Sequence, residues 1–160
     1  MTELVVRTGT GDDRDVIVRT LADSWGGTIV VAHGRAYDAA ELPALLALRD
    51  DRLVGLLTYE VTDDGLEVVT IDATRPRAGV GTALLAAAAE LARASGVTRL
   101  WLVTTNDNLN ALRFYQRRGL RIVGVTPGGV DTARRLKPSI PRIGEYGIPL
   151  RDELTLELRL

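Results

Sequence analysis

The chain has 160 residues, a formal net charge of −1 and 46% hydrophobic residues, enough for a single domain over residues 1–160 with a sizeable core. Acidic and basic residues are mixed along its length, which argues against nucleic acid or a membrane surface as the main partner. Cysteine is absent and His33 is the one histidine, so a disulfide framework, a thiolate nucleophile, a zinc cluster and a multi-histidine metal site are excluded.

In chain order, residues 4–8 read as a first strand. Residues 11–24 read as a helix with Val16, Val18 and Leu21 apolar and Asp12 or Asp13 as its cap. Trp25-Gly26-Gly27 breaks that helix, residues 28–32 form a β-branched strand, and 33–42 are irregular with a helical turn near 38–42. Two strands, 44–48 and 53–61, pair as a hairpin across Arg49-Asp50-Asp51. A third antiparallel strand, 66–71, follows the turn Asp63-Asp64-Gly65. A helix over 81–94 places Leu84, Leu85, Ala88 and Leu91 on one face and stops at Gly96. The strand 99–105, a helix after the Asn106-Asp107-Asn108 cluster, and a strand over 120–125 come next, the helix closed by Gly119. The remainder is rich in proline and glycine, with a short helix at 132–136 and a last strand at 153–160. Strands grouped first and two strand–helix crossovers later predict a mixed α/β (α+β) sheet with helices on both faces. No signal peptide or apolar run of about 18 residues occurs, so a cytoplasmic, soluble protein is expected.

The most informative stretch is Arg75-Pro-Arg-Ala-Gly-Val-Gly-Thr-Ala-Leu-Leu85, where an apolar strand gives way at once to an Ala/Leu helix. Gly79 and Gly81 let backbone N–H groups turn towards one point, and a helix N-terminus adds its positive end. Arg75 and Arg77 flank that point with guanidinium donors suited to phosphate. A Walker loop requires a Lys before Thr82, and none is there. A dinucleotide fingerprint requires a small residue where Leu84 stands and an acidic residue at the end of the next strand, which closes on Thr104 and Thr105. An ordinary glycine-rich turn without a ligand is the remaining alternative.

Downstream, Asn108, Ala111, Tyr115, Gly119 and Leu120 complete a second pattern, N-x-x-A-x-x-x-Y-x-x-x-G-[FL]. With Gly79 and Gly81 in a Q/R-x-x-G-x-G/A loop, this order resembles the Gcn5-related N-acetyltransferase (GNAT) family over residues 66–125. Pro76 departs from that loop's leading Gln/Arg position, and Arg75 and Arg77 stand on either side of it. The resemblance implies a GNAT-like, mostly antiparallel sheet, acetyl-CoA as acetyl donor and a primary amine of a small molecule or protein as acceptor. It implies that Val69 and Ile71 pair with the pantetheine arm, that Arg77, Ala78, Gly79, Val80, Gly81 and Thr82 hold the pyrophosphate, and that Asn108 reaches the pantetheine. Tyr115 is implied as the acid that protonates the departing thiolate, its phenol having a reference pKa of about 10, and a main-chain N–H near Ile71 as the oxyanion donor. Homodimers are common among such proteins.

The base is expected among Glu60, Glu67 and Asp72, with Glu60 preferred because residues 53–59 bury alternate side chains beside the expected cleft. Acceptor contacts are expected from Trp25 and Tyr37, grouped in the chain with His33 and Arg35. A second reading, from another class, is an acyl-CoA-binding sensor or regulatory module without turnover.

Overall fold

The computed structural model of the protein describes residues 3–74 and 79–160. In chain order its strands are β1 (Val5–Thr8), β2 (Ile29–Ala32), β3 (Arg35–Asp38), β4 (Ala44–Arg49), β5 (Arg52–Thr62), β6 (Gly65–Ala73), β7 (Arg99–Thr105), β8 (Arg121–Thr126) and β9 (Glu153–Arg159). The helices are α1 (Arg14–Trp25), α2 (Val80–Ala94), α3 (Leu109–Arg117) and α4 (Gly129–Leu136). Seven strands take the order β1-β4-β5-β6-β7-β9-β8 in a mostly antiparallel sheet, and β2 pairs with β3, which gives the mixed α/β class expected from the sequence.

The chain divides into two compact units, one made of the described residues through Val30, Asp38–Leu100 and Leu160, the other of Val31–Tyr37 and Trp101–Arg159. In the first, Ile17 and Leu21 of α1 pack with Val30, Ala39, Ala44, Leu46 and Leu56. Gly55, next along β5 from Leu56, faces the other way: a Cβ there would meet the Cδ1 atom of Leu84 at 3.0 Å. Neighbouring strand residues point to opposite faces, so α1 and α2 cover opposite faces of this part of the sheet. Burial along α2 follows Val80, Leu84, Leu85, Ala88, Ala89 and Ala92. The predicted stripe is thus correct through Ala88, and Ala92 takes the buried place expected of Leu91, which is half-buried.

Local chemistry explains the turns. The β4–β5 register pairs Arg49 with Arg52, leaving Asp50-Asp51 as a two-residue loop with φ of 54° and 60°. Two successive positive φ values match the right-handed twist of a hairpin, and Asp tolerates them better than most residues. The segment expected to be irregular after residue 32 is instead the β2–β3 hairpin, turned by His33-Gly34 at φ 43° and 77°. Histidine in the first turn position is a weak sequence signal, which is why the pattern concealed the hairpin. The predicted first helix starts as a short 3₁₀ turn over Gly11–Asp13 before α1 proper. Asp13 fixes that entry: its carboxylate takes two 2.8 Å bonds from the Arg7 guanidinium and a 2.7 Å bond from the Thr10 N–H. Chiefly through the Arg7 bonds, its pKa is held well below the usual carboxylate range.

In the second unit, β8 and β9 pair antiparallel with a register shift between Ile122 and Gly124. The long stretch between them carries α4 and is gathered by Arg134, whose guanidinium donates to the carbonyls of Ile140, Pro141 and Leu150.

Candidate active site

In the first unit, the chemistry-bearing residues lie along β6 and at the start of α2. Thr58 pairs with Thr70 and Tyr59 with Val68, so Val69 has no Cα partner on β5 and forms a bulge. The two threonine hydroxyls meet at 2.7 Å beside that shift, buried from water. Val69 packs against the α1 cluster, and beyond the bulge Ile71 pairs with Leu57. Re-aiming of β6 at this point is the local event that the alternating apolar pattern did not reveal.

Gly79 is the residue before α2, with φ 79° and ψ 1°. Among the described residues a Cβ at that position would meet nothing within 4 Å, so glycine stands there for its backbone conformation. The first intrahelical bond runs from the Ala83 N–H to the Gly79 carbonyl at 3.0 Å, and the first turn contains no acidic residue. The positive end of α2 is therefore not offset by a carboxylate in its first turn, and the backbone N–H groups ahead of Ala83 precede the first intrahelical donor. Val80 is buried beneath the turn, Gly81 half-buried and Thr82 exposed. A helix N-terminus of this kind suits an anion. Arg77 and Ala78, assigned to the pyrophosphate on sequence grounds, lie outside the described residues together with Arg75 and Pro76.

Glu60, half-buried, is the cross-strand partner of Glu67, which is 5% exposed. The preferred base and one of its alternatives thus occupy adjoining positions on β5 and β6. Tyr59 beside them is buried, and burial pushes its phenol up. Asp72, the third candidate, accepts a 2.8 Å bond from the Trp25 indole N–H, and its carboxyl pKa is raised because burial outweighs the bonds from Trp25 and Ser24.

The second unit holds the other half of the expected residues. Tyr115 is 7% exposed, with Phe114 edge-on at 5.6 Å. The backbone fixes its place: the N–H groups of Arg118 and Leu120 both donate to the Tyr115 carbonyl at 3.1 Å, across Gly119 at φ 94°. A non-glycine residue would be strained at that closing position, so the glycine of the motif serves the tyrosine. Asn108 precedes α3 but makes no side-chain cap; its amide donates to the Thr104 hydroxyl at 3.3 Å.

Asn106 and Asp107 perform work the sequence did not disclose. The Asn106 side chain donates to the Pro149 carbonyl and accepts from the N–H groups of Arg151 and Asp152. The buried Asp107 carboxylate accepts from the Thr105 hydroxyl and, at 2.9 Å, from the Glu145 N–H. Nearby, Tyr146 holds a left-handed backbone at φ 59°, is 66% exposed, and donates its hydroxyl to Asn110 of α3 at 2.8 Å. The polar cluster that reads as capping material is therefore an anchor for the loop before β9.

Of the four loop residues grouped by sequence, three come together. Tyr37 is 3% exposed, its hydroxyl lies 3.0 Å from Nε2 of His33, and the Arg35 guanidinium lies 4.4 Å from its ring centre. His33 also meets the Trp101 ring at 5.3 Å. Trp25 belongs to the other unit, where Asp72 holds its indole. Among the described residues, no three His, Cys, Asp or Glu side chains form a metal-binding group, and no helix is long and apolar enough to cross a membrane.

Comparison with known proteins gives a family match, similar sequences and similar folds. The profile of the acetyltransferase (GNAT) family matches residues 19–120. The Bacillus subtilis (strain 168) protein YxbD is 39% identical over 144 residues, covering 89% of this chain and 91% of its own length. A Bacillus subtilis acetyltransferase solved in complex with CoA has TM-score 0.68 at 21% identity, with 100% of this chain and 99% of that chain covered. A GNAT-family acetyltransferase from Elizabethkingia anophelis, with acetyl-CoA bound, has TM-score 0.68 at 19% identity, covering 98% of each chain.

Proposed function

We propose, on the premise that the chain belongs to the acetyltransferase (GNAT) family, that it transfers the acetyl group of acetyl-CoA to a primary amine of a small molecule or peptide by direct attack. The observation that carries the reading is the turn at Gly79: a left-handed residue whose Cβ would meet no described atom, leading into an α2 first turn that holds no acidic residue. Such a turn suits a diphosphate. The relatives solved with CoA and acetyl-CoA support the same donor.

When bound, acetyl-CoA supplies the activated thioester. In this proposal Arg77, Ala78, Gly79, Val80, Gly81 and Thr82 hold its diphosphate, while the backbones of Val69 and Ile71 and the amide of Asn108 align the pantetheine. Glu60 takes the proton from the incoming ammonium, directly or through water, so that the neutral amine forms the new C–N bond. A main-chain N–H near Ile71 stabilises the developing oxyanion, and Tyr115 gives its proton to the sulfur as the C–S bond breaks. The new amide nitrogen gives up its extra proton to solvent, Glu60 releases the one it took, and the phenol regains one from solvent, leaving the amide and the CoA thiol as products. Trp25 and Tyr37 contribute to the acceptor side, and we place the reaction in the cytoplasm.

The test is thiol release from acetyl-CoA over a panel of amines. Turnover with at least one amine is expected; tight acetyl-CoA binding without turnover on any amine would make the chain an acyl-CoA sensor instead. Tyr115→Phe is expected to lower kcat by about 10²-fold while leaving acetyl-CoA affinity, read by calorimetry, within about twofold. An unchanged rate removes Tyr115 from the chemistry.

A further inference from the structure

At the end of β6, on the face covered by α1, the first unit holds a cavity of about 170 Å³, several times the volume share of a water molecule. Thr20 and Ser24 of α1 line it, with Asp72 of β6 and Thr74 just past that strand, and Val16 and Leu53 provide apolar wall. The hydroxyl protons here are committed. Thr20 donates to the Val16 carbonyl at 2.7 Å and Thr74 to the Val54 carbonyl at 3.2 Å, while Ser24 donates to Asp72. What these groups still offer the cavity is lone pairs. No cationic side chain lines it among the described residues.

The Asp72 carboxylate accepts from the Trp25 indole at 2.8 Å and from Ser24, and its remaining lone pairs, set among hydroxyls whose protons are spent, suit a positively charged donor. A divalent metal ion is a poor match, because calcium and magnesium need about six oxygen ligands and this cavity has one carboxylate. A guanidinium is planar and wants a fork of acceptors in one plane. An ammonium group is compact, carries three donors, and extends an apolar stem that Val16 and Leu53 can cover. We infer that this cavity is a binding site for a primary alkylammonium group, held by Asp72 with the oxygens of Thr20 and Thr74. Burial raises the Asp72 pKa, and a cation bound beside the carboxylate would offset that loss of solvation. The ammonium belongs either to a remote end of the acceptor or to a separate amine effector; its recognition is the same, and it stands independently of the proposed reaction.

The test is calorimetric titration of the full chain with n-butylammonium chloride at constant ionic strength, with n-butanol and tetramethylammonium as comparison probes. One-to-one binding of butylammonium is expected, and the neutral alcohol and the donor-free cation should each bind at least about 10-fold more weakly. Asp72→Asn should weaken butylammonium by about 10-fold or more, and Thr20→Val, which keeps the shape of a side chain on the surface of α1, by about threefold. The inference is overturned if the chain takes up no butylammonium, if tetramethylammonium binds equally well, or if folded Asp72→Asn binds undiminished. Should Asp72→Asn not fold, undiminished binding by Thr20→Val overturns it equally. Butylammonium that raises the KM of an acetylated amine places that amine's end in the cavity; an unchanged KM assigns the cavity to an effector. A chain that binds butylammonium but acetylates no amine refutes the proposed reaction and leaves this site standing.

Discussion

Replacing Gly55 by alanine tests how closely α2 sits on the sheet. The backbone at Gly55 is ordinary strand, so alanine brings no conformational strain and, by restricting the unfolded chain, would by itself stabilise by about 0.5–1 kcal/mol. The added methyl, however, runs into Cγ1 of Val80, with Cδ1 of Leu84 at 3.0 Å and the Asp72 carbonyl oxygen at 3.1 Å. Val80 and Leu84 are 2% and 0% exposed, so neither can swing into water, and the third neighbour is backbone. Overpacking of this kind costs about 1–3 kcal/mol. The net expectation is a loss of about 1–2 kcal/mol, or about 3–6 °C in Tm for a chain of this size. Val80 directly follows Gly79, so helix displacement should also weaken CoA binding. Urea denaturation gives the first quantity and calorimetry with CoA the second. Gly11→Ala, whose methyl meets nothing within 4 Å, is the control and should stay within about 0.5 kcal/mol of the parent. A Gly55→Ala protein as stable as the parent would refute the close seating of α2 and the argument built on it.

Gly79→Ala meets no atom of the described residues, and its cost is conformational, about 1–2 kcal/mol for a left-handed alanine; a CoA affinity equal to the parent's would separate the turn from cofactor binding. Asp13→Asn removes the Arg7 pair and weakens the Thr10 bond, an expected loss of about 1–2 kcal/mol at pH 7 given that the Arg7 side chain is 43% exposed. Because folding depresses the Asp13 pKa, its contribution is complete above the ordinary carboxylate pKa of about 3.9 and fades as pH falls below it. Urea midpoints of parent and variant should therefore begin to converge as pH falls below about 4, and a constant gap down to about pH 2 would contradict the assignment. Asp107→Ala strips the Glu145 N–H and the Thr105 hydroxyl of their acceptor, and about 2 kcal/mol of loop stability should go with it. Faster amide exchange at Glu145, with α2 unaffected, is the readout.

What could be read along the chain was whatever a few neighbouring residues decide among themselves. Asp50-Asp51 selects a tight hairpin, Gly119 stops α3, Gly79 allows the turn before α2, and the apolar stripe of α2 identifies its buried face, because dihedral preference and periodicity act over one or two turns of backbone. The order of Gly79, Gly81, Asn108, Tyr115 and Gly119 was enough to indicate the family. Pairings between distant segments were not legible. The bulge at Val69 exists only relative to β5, the Trp25 indole finds Asp72 across 47 residues, and Asp107 is held by a loop 38 residues further on. A side chain's partner is chosen by where folding brings the competing donors and acceptors. Two aspartates alike in sequence thus became a buried loop anchor and the carboxylate of a cavity, and the tertiary structure alone made that difference.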